Sequence, residues 1–366
     1  MVDMLEHTFV IAEAGVNHNG SVEMACELID IAAEAGVDAV KFQSFRADHV
    51  ISSHAPKAEY QMRTTNSDES QLEMVRKLEL SEHAHEILIA YAMVKKIAFL
   101  STPFDLPSLY MLTQRFNLGT IKISSGEITN GPFLLEIART ERQVILSTGM
   151  STQDEVEAAL GVLAFGYTAV EDAEPGIAAF AAAFSTDVGQ DALHGHVSLL
   201  HCTTEYPAPY ADVNLKAMDT LNRVFGLPVG LSDHTRGIHI PIAAVARGAR
   251  IIEKHFTLDR NLPGPDHAAS LEPSELIEMI RAIRDVESAM GDGMKRPASS
   301  ELKNRSIARK SLVASKNIHK GDIFTPDNLT TKRPGKGVSP MQYWDVLGME
   351  ASCDYTFDEE IPSNEA

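Results

Sequence analysis

The stretch "RIIEKHFTLDRNLPGPDH" (residues 250–267) starts like a buried strand and ends in ionisable side chains. Ile251 and Ile252 are β-branched and apolar, as is typical of a strand that is covered on both faces. A glutamate, a lysine and a histidine follow directly, and burying such groups is costly unless partners or ligands compensate their charge. This change of character along one strand predicts a functional site at its carboxyl end.

The same unit occurs eight times: a short apolar run ends in polar residues, and a helix-like stretch usually follows. The runs are "HTFVIAEAG" (7–15), "AVKFQSF" (39–45), "IAFLSTPF" (97–104), "TIKISSGE" (120–127), "QVILSTGM" (143–150), "HVSLLHCTTEY" (196–206), "LPVGLSDHT" (227–235) and "RIIEKHFTL" (250–258). Strands that alternate with helices indicate βαβ units and a parallel sheet. Eight units predict an α/β fold of the (β/α)8 TIM-barrel type, which keeps its active site at the carboxyl ends of its strands.

The connecting stretches carry helix signals. "SVEMACELIDIAAEAG" (21–36) has apolar residues at helical spacing, with Ser21 as the expected N-cap and Gly36 as the expected end. "STQDEVEAALGVLAFG" (151–166) predicts a second helix, which would end at Gly166.

The composition changes at the end of the predicted barrel, which covers residues 1–290. Residues 291–309 are polar and rich in Gly, Ser and Lys, which indicates a linker. Residues 310–366 combine short β-like runs with turn signals and predict a small β-rich domain. Its last stretch, "DEEIPSNEA" (358–366), is expected to fray.

Bulk composition excludes several classes of function. The formal net charge of −19 argues against nucleic acid or an anionic membrane as the main partner, although a few inward lysines could still bind a small anion. No apolar run is long enough to cross a bilayer, and no signal peptide is recognisable, so we expect a cytoplasmic protein. The three cysteines lie far apart and predict neither a disulfide framework nor a thiolate metal site.

Alternation along the strands places two histidines together, because residues two apart share a face. Glu253 and His255 share one face of the eighth strand, and Ser232 and His234 share one face of the seventh. Side chains pointing inward would bring His234 and His255 close enough to bind one divalent cation, with carboxylates, water or substrate completing its shell. The alternative is a pair of core or capping histidines.

Three lysines, Lys41, Lys122 and Lys254, lie within strands that should be buried. Either protein carboxylates pair with them, or an anionic ligand does. Hydroxyl groups at neighbouring strand ends favour a phosphorylated or carboxylated ligand. These hydroxyls belong to Ser101, Thr102, Ser124, Ser125, Ser147 and Thr148.

Carboxylates at the strand ends have two interpretations. Glu13 and Glu127 could carry out acid–base chemistry or bind sugar hydroxyls, or they could be structural ion-pair partners. Asp266, in the "LPGPDH" loop, could form a turn or contact substrate. The chain lacks a P-loop, a G-x-G-x-x-G after the first strand and a G-x-S-x-G elbow, which disfavours ATP, NAD and serine-esterase chemistry.

Taken together, the strand ends resemble the sialic acid synthase family, which condenses phosphoenolpyruvate with an N-acetylated amino sugar to make a nine-carbon sugar acid. The segments that carry the resemblance are "FVIAEAGVNHNGS", "VKFQSF", "FLSTPFD", "IKISSGEITN", "ILSTGMST", "LLHCTTEYPAP", "GLSDHT" and "EKHFTLDRNLPGPDH". In the last domain, "KGDIFTPDNL" and "KRPGKG" resemble the antifreeze-like domain of these synthases.

The resemblance implies a role for each strand end. His234 and His255 would bind manganese or magnesium. The phosphoenolpyruvate ligands would be Lys41, Thr102, Lys122, Ser125, Ser147 and Ser232. The amino-sugar contacts would be Glu13, Gln43, Tyr206 and Asp266. Glu127 would be the acid–base residue, and Lys41 and Glu13 join it as catalytic candidates.

The resemblance also implies a homodimer, and this chain differs from the family pattern in two places. Arg333 would reach the sugar from the partner subunit of a domain-swapped homodimer. Some relatives have Asn where this chain has Thr204, so a hydroxyl replaces an amide expected to contact phosphate. Residues 167–195 form a longer connection than usual, and the sequence assigns them no role.

We therefore expect a synthase that makes N-acetylneuraminic acid and phosphate from phosphoenolpyruvate and N-acetylmannosamine. One alternative is a legionaminic acid synthase, which would use the same chemistry on a differently substituted hexose, selected by residues 43–80 and the regions of Tyr206 and Asp266. Further alternatives are a Schiff-base aldolase and a non-catalytic sugar-acid binder or ice-binding protein. The strand-end lysines, histidines and glutamates argue against a binder.

Overall fold

The computed structural model describes residues 7–57, 62, 69–170 and 172–365. The chain divides into two compact units between Gly291 and Asp292. Residues 58–61 and 63–68, part of the stretch expected to select the acceptor, lie outside the described residues.

The first unit is built on eight strands, each of which lies inside the run that predicted it. The strands are β1 Phe9–Gly15, β2 Ala39–Ser44, β3 Ala98–Pro103, β4 Thr120–Ile123, β5 Gln143–Ser147, β6 Val197–Cys202, β7 Val229–Asp233 and β8 Ile251–His255. All of their ladders are parallel, in the order β3-β2-β1-β8-β7-β6-β5-β4, and β3 packs beside β4. The predicted (β/α)8 barrel is confirmed.

Helices follow the strands. They are α1 Val22–Ala35, α2 Ala47–Val50, α3 Gln71–Arg76, α4 Glu82–Lys95, α5 Leu106–Tyr110, α6 Gly131–Arg139, α7 Gln153–Thr168, α8 Ile177–Phe184, α9 Asp187–His196, α10 Lys216–Phe225, α11 His239–Ala246 and α12 Pro273–Met290. Helix α1 has the predicted ends, because Ser21 accepts a hydrogen bond from the Met24 N–H and Gly36 adopts a left-handed conformation.

The predicted end of α7 is wrong. The helix continues past Gly166 to Thr168, and Gly166 packs against α6, where a Cβ atom would collide with Ala138. The connection that follows contains α8 and α9, both of which pack on α7. Gly166 is therefore needed for close approach between helices and not for a stop.

Alternation along the strands separates two layers of core. Val10, Ala12, Val40 and Phe42 point outward and join the core between strands and helices. A smaller cluster fills the barrel interior, and its members are Phe9, Ile11, Ala39, Leu100, Ile145, Leu200 and Ile251. Because inward residues later along each strand are polar, the interior is apolar at one end and polar at the other.

The second unit begins with α13, Ser299–Ala308, which lies within the predicted linker. Strands β9 Ser311–Ala314 and β10 Leu329–Lys332 pair antiparallel, and a short helix α14, Tyr343–Val346, follows. The predicted fraying of the last stretch is wrong at Ile361, which is fully buried and whose backbone bonds to Leu312 and Val338. Among the described residues, no helix is long and apolar enough to cross a membrane.

Candidate active site

The polar strand ends converge on one cavity of about 320 Å³. Of the residues predicted for the site, it is lined by Glu13, Lys41, Gln43, Thr102, Lys122, Ser125, Ser147, Tyr206, Ser232, His234, His255 and Asp266. These side chains come from β1, β2, β3, β4, β5, β7, β8 and the loops that follow strands. The inward orientation inferred from alternation is the physical reason that residues distant in sequence meet here.

Two buried lysines form one side of the cavity. Lys41 Nζ donates a hydrogen bond to Thr102 Oγ1 at 3.0 Å and lies 2.6 Å from a carboxylate oxygen of Glu13. Lys122 Nζ donates to Ser147 Oγ at 2.6 Å. Ammonium and hydroxyl groups that converge in this way can bind a phosphate or carboxylate group.

Glu253 lies between the two lysines, and sequence reasoning did not assign it to the site. Its carboxylate is 3.5 Å from Lys41 and 3.6 Å from Lys122, and it accepts a hydrogen bond from Ser232 at 2.8 Å. Burial raises the pKa of Glu253, but the two lysines outweigh burial and lower it to about 2. The strand alternation that placed His255 inward was the available signal for Glu253 as well.

The lysines respond differently to burial. Burial lowers the pKa of Lys41, but Glu13 and Glu253 raise it above its ordinary value. For Lys122, burial outweighs the attraction of Glu253, and the pKa is lowered. An anionic ligand at Lys122 would favour the charged form of this side chain.

Two further carboxyl groups have raised pKa values. Burial raises the pKa of Glu13, against the lowering effect of Lys41. Burial and the charge of Glu13 raise the pKa of Asp266 to about 7. Ionised Glu253 and these more easily protonated carboxyls therefore share one cavity, which is an arrangement suited to acid–base chemistry.

His234 and His255 lie side by side, as predicted, with ring centroids 5.5 Å apart, and the ring of Tyr206 contacts both. Burial lowers the pKa of both histidines, so their rings are neutral at neutral pH. His234 Nδ1 lies 2.7 Å from the Thr203 carbonyl oxygen, which can only accept, so this nitrogen carries the proton. The lone pair of His234 Nε2 is then available to a ligand.

The donor set fits a divalent cation only in part. His255 Nδ1 is buried and finds no hydrogen-bond partner in the described part of the chain, and it lies 3.8 Å from Asp266. Within the same described residues, no three His, Cys, Asp or Glu side chains are grouped to hold a metal ion. Two neutral imidazoles would therefore need water or substrate oxygens to complete a cation's shell.

Of the two alternatives for Lys254, the structure supports a protein carboxylate partner over a ligand. Lys254 points to the outer side of the barrel, and its ammonium group pairs with Asp233 at 2.5 Å and donates to the Thr235 carbonyl. Asp233 also accepts hydrogen bonds from Thr235 N and Oγ1. Lys254, Asp233 and Thr235 therefore satisfy one another's polar groups, and none of the three lines the cavity.

Glu127 and Arg333 are not among the residues that line the cavity. Glu127 ends a short 3-10 turn after β4 and accepts a hydrogen bond from Asn130 Nδ2 at 2.7 Å. Arg333 lies in the second unit, where it is exposed. Twelve of the fourteen predicted site residues therefore line one cavity of the first unit, and the role expected for Arg333 in a partner subunit stays a prediction.

Thr204 borders the cavity beside Ser125 and Cys202. Ser125 Oγ lies 3.0 Å from Cys202 Sγ and accepts a hydrogen bond from the Gly149 N–H. Thr204 Oγ1 is buried without a hydrogen-bond partner among the described residues. This hydroxyl therefore faces the cavity without a protein partner, at the position where the resemblance to the family leads us to expect an amide.

Fold and site together define a parallel barrel whose strand ends form a cavity lined by buried lysines, carboxyl groups and hydroxyls beside paired histidines. A family model described as "NeuB family" matches residues 28–295, and one described as "SAF domain" matches residues 309–358. The chain belongs to the NeuB family and carries a SAF domain at its end. The resemblance to sialic acid synthases is thereby confirmed.

Individual relatives cover nearly the whole chain. It is 53% identical over 357 residues to the N,N'-diacetyllegionaminic acid synthase of Campylobacter jejuni, across 98% of this chain and 99% of the relative. It is 42% identical to the N,N'-diacetyllegionaminic acid synthase of Legionella pneumophila, across 94% and 91%. A solved N-acetylneuraminic acid (sialic acid) synthetase from Leptospira borgpetersenii, in complex with citrate, matches with a TM-score of 0.66 and 32% identity, across 81% and 90%. These relatives are enzymes of sugar-acid biosynthesis.

Proposed function

We propose that this chain condenses phosphoenolpyruvate with a hexose that carries two acetamido groups, giving N,N'-diacetyllegionaminic acid and phosphate. The observation that carries the proposal is the 53% identity to a relative of that name over almost the full length of both chains. The product name specifies two N-acetyl groups, and phosphoenolpyruvate contains no nitrogen, so the acceptor must supply both. This acceptor replaces N-acetylmannosamine, the acceptor expected from the sequence.

The two buried lysines suit the donor substrate. Phosphoenolpyruvate carries a phosphate and a carboxylate, and Lys41 and Lys122 offer buried ammonium groups within one cavity. The hydroxyls of Thr102, Ser147 and Ser125 supply neighbouring hydrogen-bond donors. Charge-assisted hydrogen bonds of this kind would bind the donor and fix its orientation.

His234 and His255 would hold a divalent cation, manganese or magnesium. When bound, such a cation polarises a carbonyl oxygen as a Lewis acid. The Thr203 carbonyl fixes the proton of His234 on Nδ1 and directs Nε2 away from it. The protein thus prepares the ligand atom before any cation arrives.

The reaction requires proton transfers that the cavity carboxyls can perform. The enol carbon of phosphoenolpyruvate attacks the sugar aldehyde, whose oxygen takes up a proton. Water then adds to the oxocarbenium-like centre and loses a proton, and the resulting tetrahedral intermediate releases phosphate by C–O cleavage, which leaves the keto group of the sugar acid. Glu13 and Asp266, whose pKa values are raised, can hold and transfer protons here. Holding both substrates in place would contribute about 7–11 kcal/mol through orientation.

Glu127 and Arg333 enter the proposal through the family resemblance. Glu127 would act in acid–base chemistry if its turn brought it to bound substrates, and Arg333 would contact the sugar from the partner subunit of a homodimer. We expect Arg333→Ala to raise the KM of the acceptor while leaving manganese affinity unchanged. Initial rates measure the KM of the acceptor, and titration with manganese measures the metal affinity. A loss of manganese affinity as large as the rise in KM would contradict this role.

The direct test is phosphate release from phosphoenolpyruvate with a panel of hexosamines, run with and without a chelator. We expect the acceptor with two acetamido groups to give the highest kcat/KM, and the chelator to abolish release. A lysine adduct trapped by borohydride with pyruvate would instead support a Schiff-base aldolase. Absence of release with every acceptor would support a non-catalytic sugar-acid binder.

A further inference from the structure

One side of the cavity is apolar and comes from the segments after β2 and β3 and from α3, most of it within residues 43–80, which the sequence analysis expected to select the acceptor. We define this apolar wall as the six cavity-lining residues Phe45, Val50, Met74, Val75, Leu78 and Phe104. Phe45, Leu78 and Val16 form a small core of their own, against which Val50, Val75 and Phe104 pack. The wall is therefore a separate cluster that faces the cavity.

The described segments that carry the wall are held by specific contacts. The Arg46 N–H donates to Asp105 at 2.7 Å, and the Ala47 N–H donates to Glu79 at 2.6 Å. Helix α3 begins with a capping box between Ser70 and Glu73. The rings of Phe45 and Phe104 meet edge to face with centroids 6.2 Å apart. These contacts fix the wall's shape before a ligand binds.

The two sides of the cavity differ in chemistry. Lysines, carboxylates and histidines occupy the strand-end side, where under the proposed function the aldehyde, carboxylate and phosphate would find partners. The apolar wall offers no donor or acceptor from its six side chains, and Gln71 at its border contributes the neighbouring amide. A charged or hydroxylated substituent placed against the wall would lose its hydration without gaining hydrogen bonds. A methyl group would gain from burial.

We propose that the apolar wall binds the methyl group of the acceptor's second acetamido group, and so selects this acceptor over N-acetylmannosamine and over a hexosamine phosphate. This inference rests on the proposed function and names the surface that sets its specificity. An added methyl-sized group in an apolar pocket typically changes discrimination by about 10–200-fold. We expect a selectivity of this size between acceptors with two and with one acetamido group.

The test measures kcat/KM for three acceptors: the hexose with two acetamido groups, N-acetylmannosamine, and N-acetylmannosamine 6-phosphate. Met74→Gln places an amide in the wall with little change of side-chain length, and Met74→Leu keeps the wall apolar. We expect Met74→Gln to reduce the ratio of kcat/KM between the first two acceptors at least tenfold, with the KM of phosphoenolpyruvate within twofold of wild type. Met74→Leu should preserve the ratio.

Met93→Gln on α4 is the matched control, because Met93 is 74% exposed and does not line the cavity. Thermal unfolding of each variant separates loss of fold from loss of selectivity. An unchanged ratio in Met74→Gln, or an equal loss in Met74→Leu, would overturn the inference. A wild-type enzyme that uses both neutral acceptors equally well would also overturn it while leaving the synthase activity standing. No phosphate release with any acceptor would instead refute the proposed function and, with it, the role of the wall.

Discussion

The inner and outer faces of β7 and β8 both bury charged groups, but they do so in different ways. Ser232 pairs in register with Glu253, and the next pair along the strands is Asp233 with Lys254. One step along the backbone turns the side chains from the cavity to the outer layer. Two clusters of charged side chains therefore lie on opposite faces of these strands. The inner cluster is Glu253 and His255 with the neighbouring Lys41 and Lys122, and the outer cluster is Asp233 and Lys254.

The clusters differ in how completely their hydrogen bonds are satisfied. On the outer face, Asp233 accepts from Thr235 and Lys254, and Lys254 has both Asp233 and a carbonyl as partners. On the inner face, Glu253 Oε2 and His255 Nδ1 are buried without hydrogen-bond partners in the described part of the chain. A satisfied buried cluster holds a fold together, whereas an unsatisfied one beside a cavity is prepared for a ligand.

The largest expected effect tests the inner cluster. We expect Lys122→Met to lower kcat/KM for phosphoenolpyruvate about a thousandfold, equivalent to about 4 kcal/mol, because a buried charge that binds the donor is lost. Lys41 stays 3.5 Å from Glu253 in this variant, so the buried carboxylate keeps one of its two cations. We therefore expect a smaller change in the free energy of unfolding than in a variant that leaves a buried charge without an opposite charge. Destabilisation by several kcal/mol with retained activity would reverse the assignment.

The outer cluster should show the opposite behaviour. Asp233→Asn leaves the fully buried ammonium group of Lys254 without its carboxylate, and we expect a loss of about 3–5 kcal/mol in the free energy of unfolding. The double variant with Lys254→Met removes the unpaired charge and should recover most of the loss. Urea unfolding of both variants measures this difference. A single variant as stable as wild type would show that the pair has no structural role.

The paired histidines allow a test with the metal alone. We expect His255→Ala to weaken manganese binding about 100-fold, because one of two imidazole ligands is removed. Isothermal titration with manganese chloride measures the affinity without substrates. His83→Ala is the control, since the His83 side chain is 80% exposed. Equal manganese affinity in wild type and His255→Ala would remove the metal from the proposal.

The smallest expected effect concerns a histidine on neither face. Burial above all lowers the pKa of His18 to about 4, below its ordinary value of 6.5. Between these values the unfolded chain binds a proton that the folded chain does not, so stability falls as pH decreases from about 6.5 to 4. The slope for one such group is about 1.4 kcal/mol per pH unit. Urea unfolding across this range should show a shallower slope for His18→Asn, and identical slopes would refute this account.

Strand alternation explains why most of the site could be predicted from the sequence. Lys41, Lys122, His234 and His255 lie within or directly after regular strands, so their direction follows from their position. Glu127 follows β4 in a 3-10 turn, where alternation no longer holds. Period-two reasoning therefore could not place it.

Other features depend on contacts that no local pattern contains. The sequence left both a ligand and a protein carboxylate open for Lys254, because its outward partner Asp233 lies on a different strand. The apolar wall is assembled from α3 and the segments after β2 and β3, which carry no strand period. Gly166 could be recognised as a helix contact only once α6 was in place beside it.

The burial of Ile361 has a practical consequence for anyone who edits this gene. The side chain is inserted among Leu312, Val338 and other members of the small domain's core, and its backbone completes their hydrogen bonding. Deleting residues 362–366 would leave the Ile361 side chain in the core, whereas a stop codon at position 361 would remove it and expose the core to water. Purification handles at the carboxyl terminus therefore need a spacer that begins after Ile361.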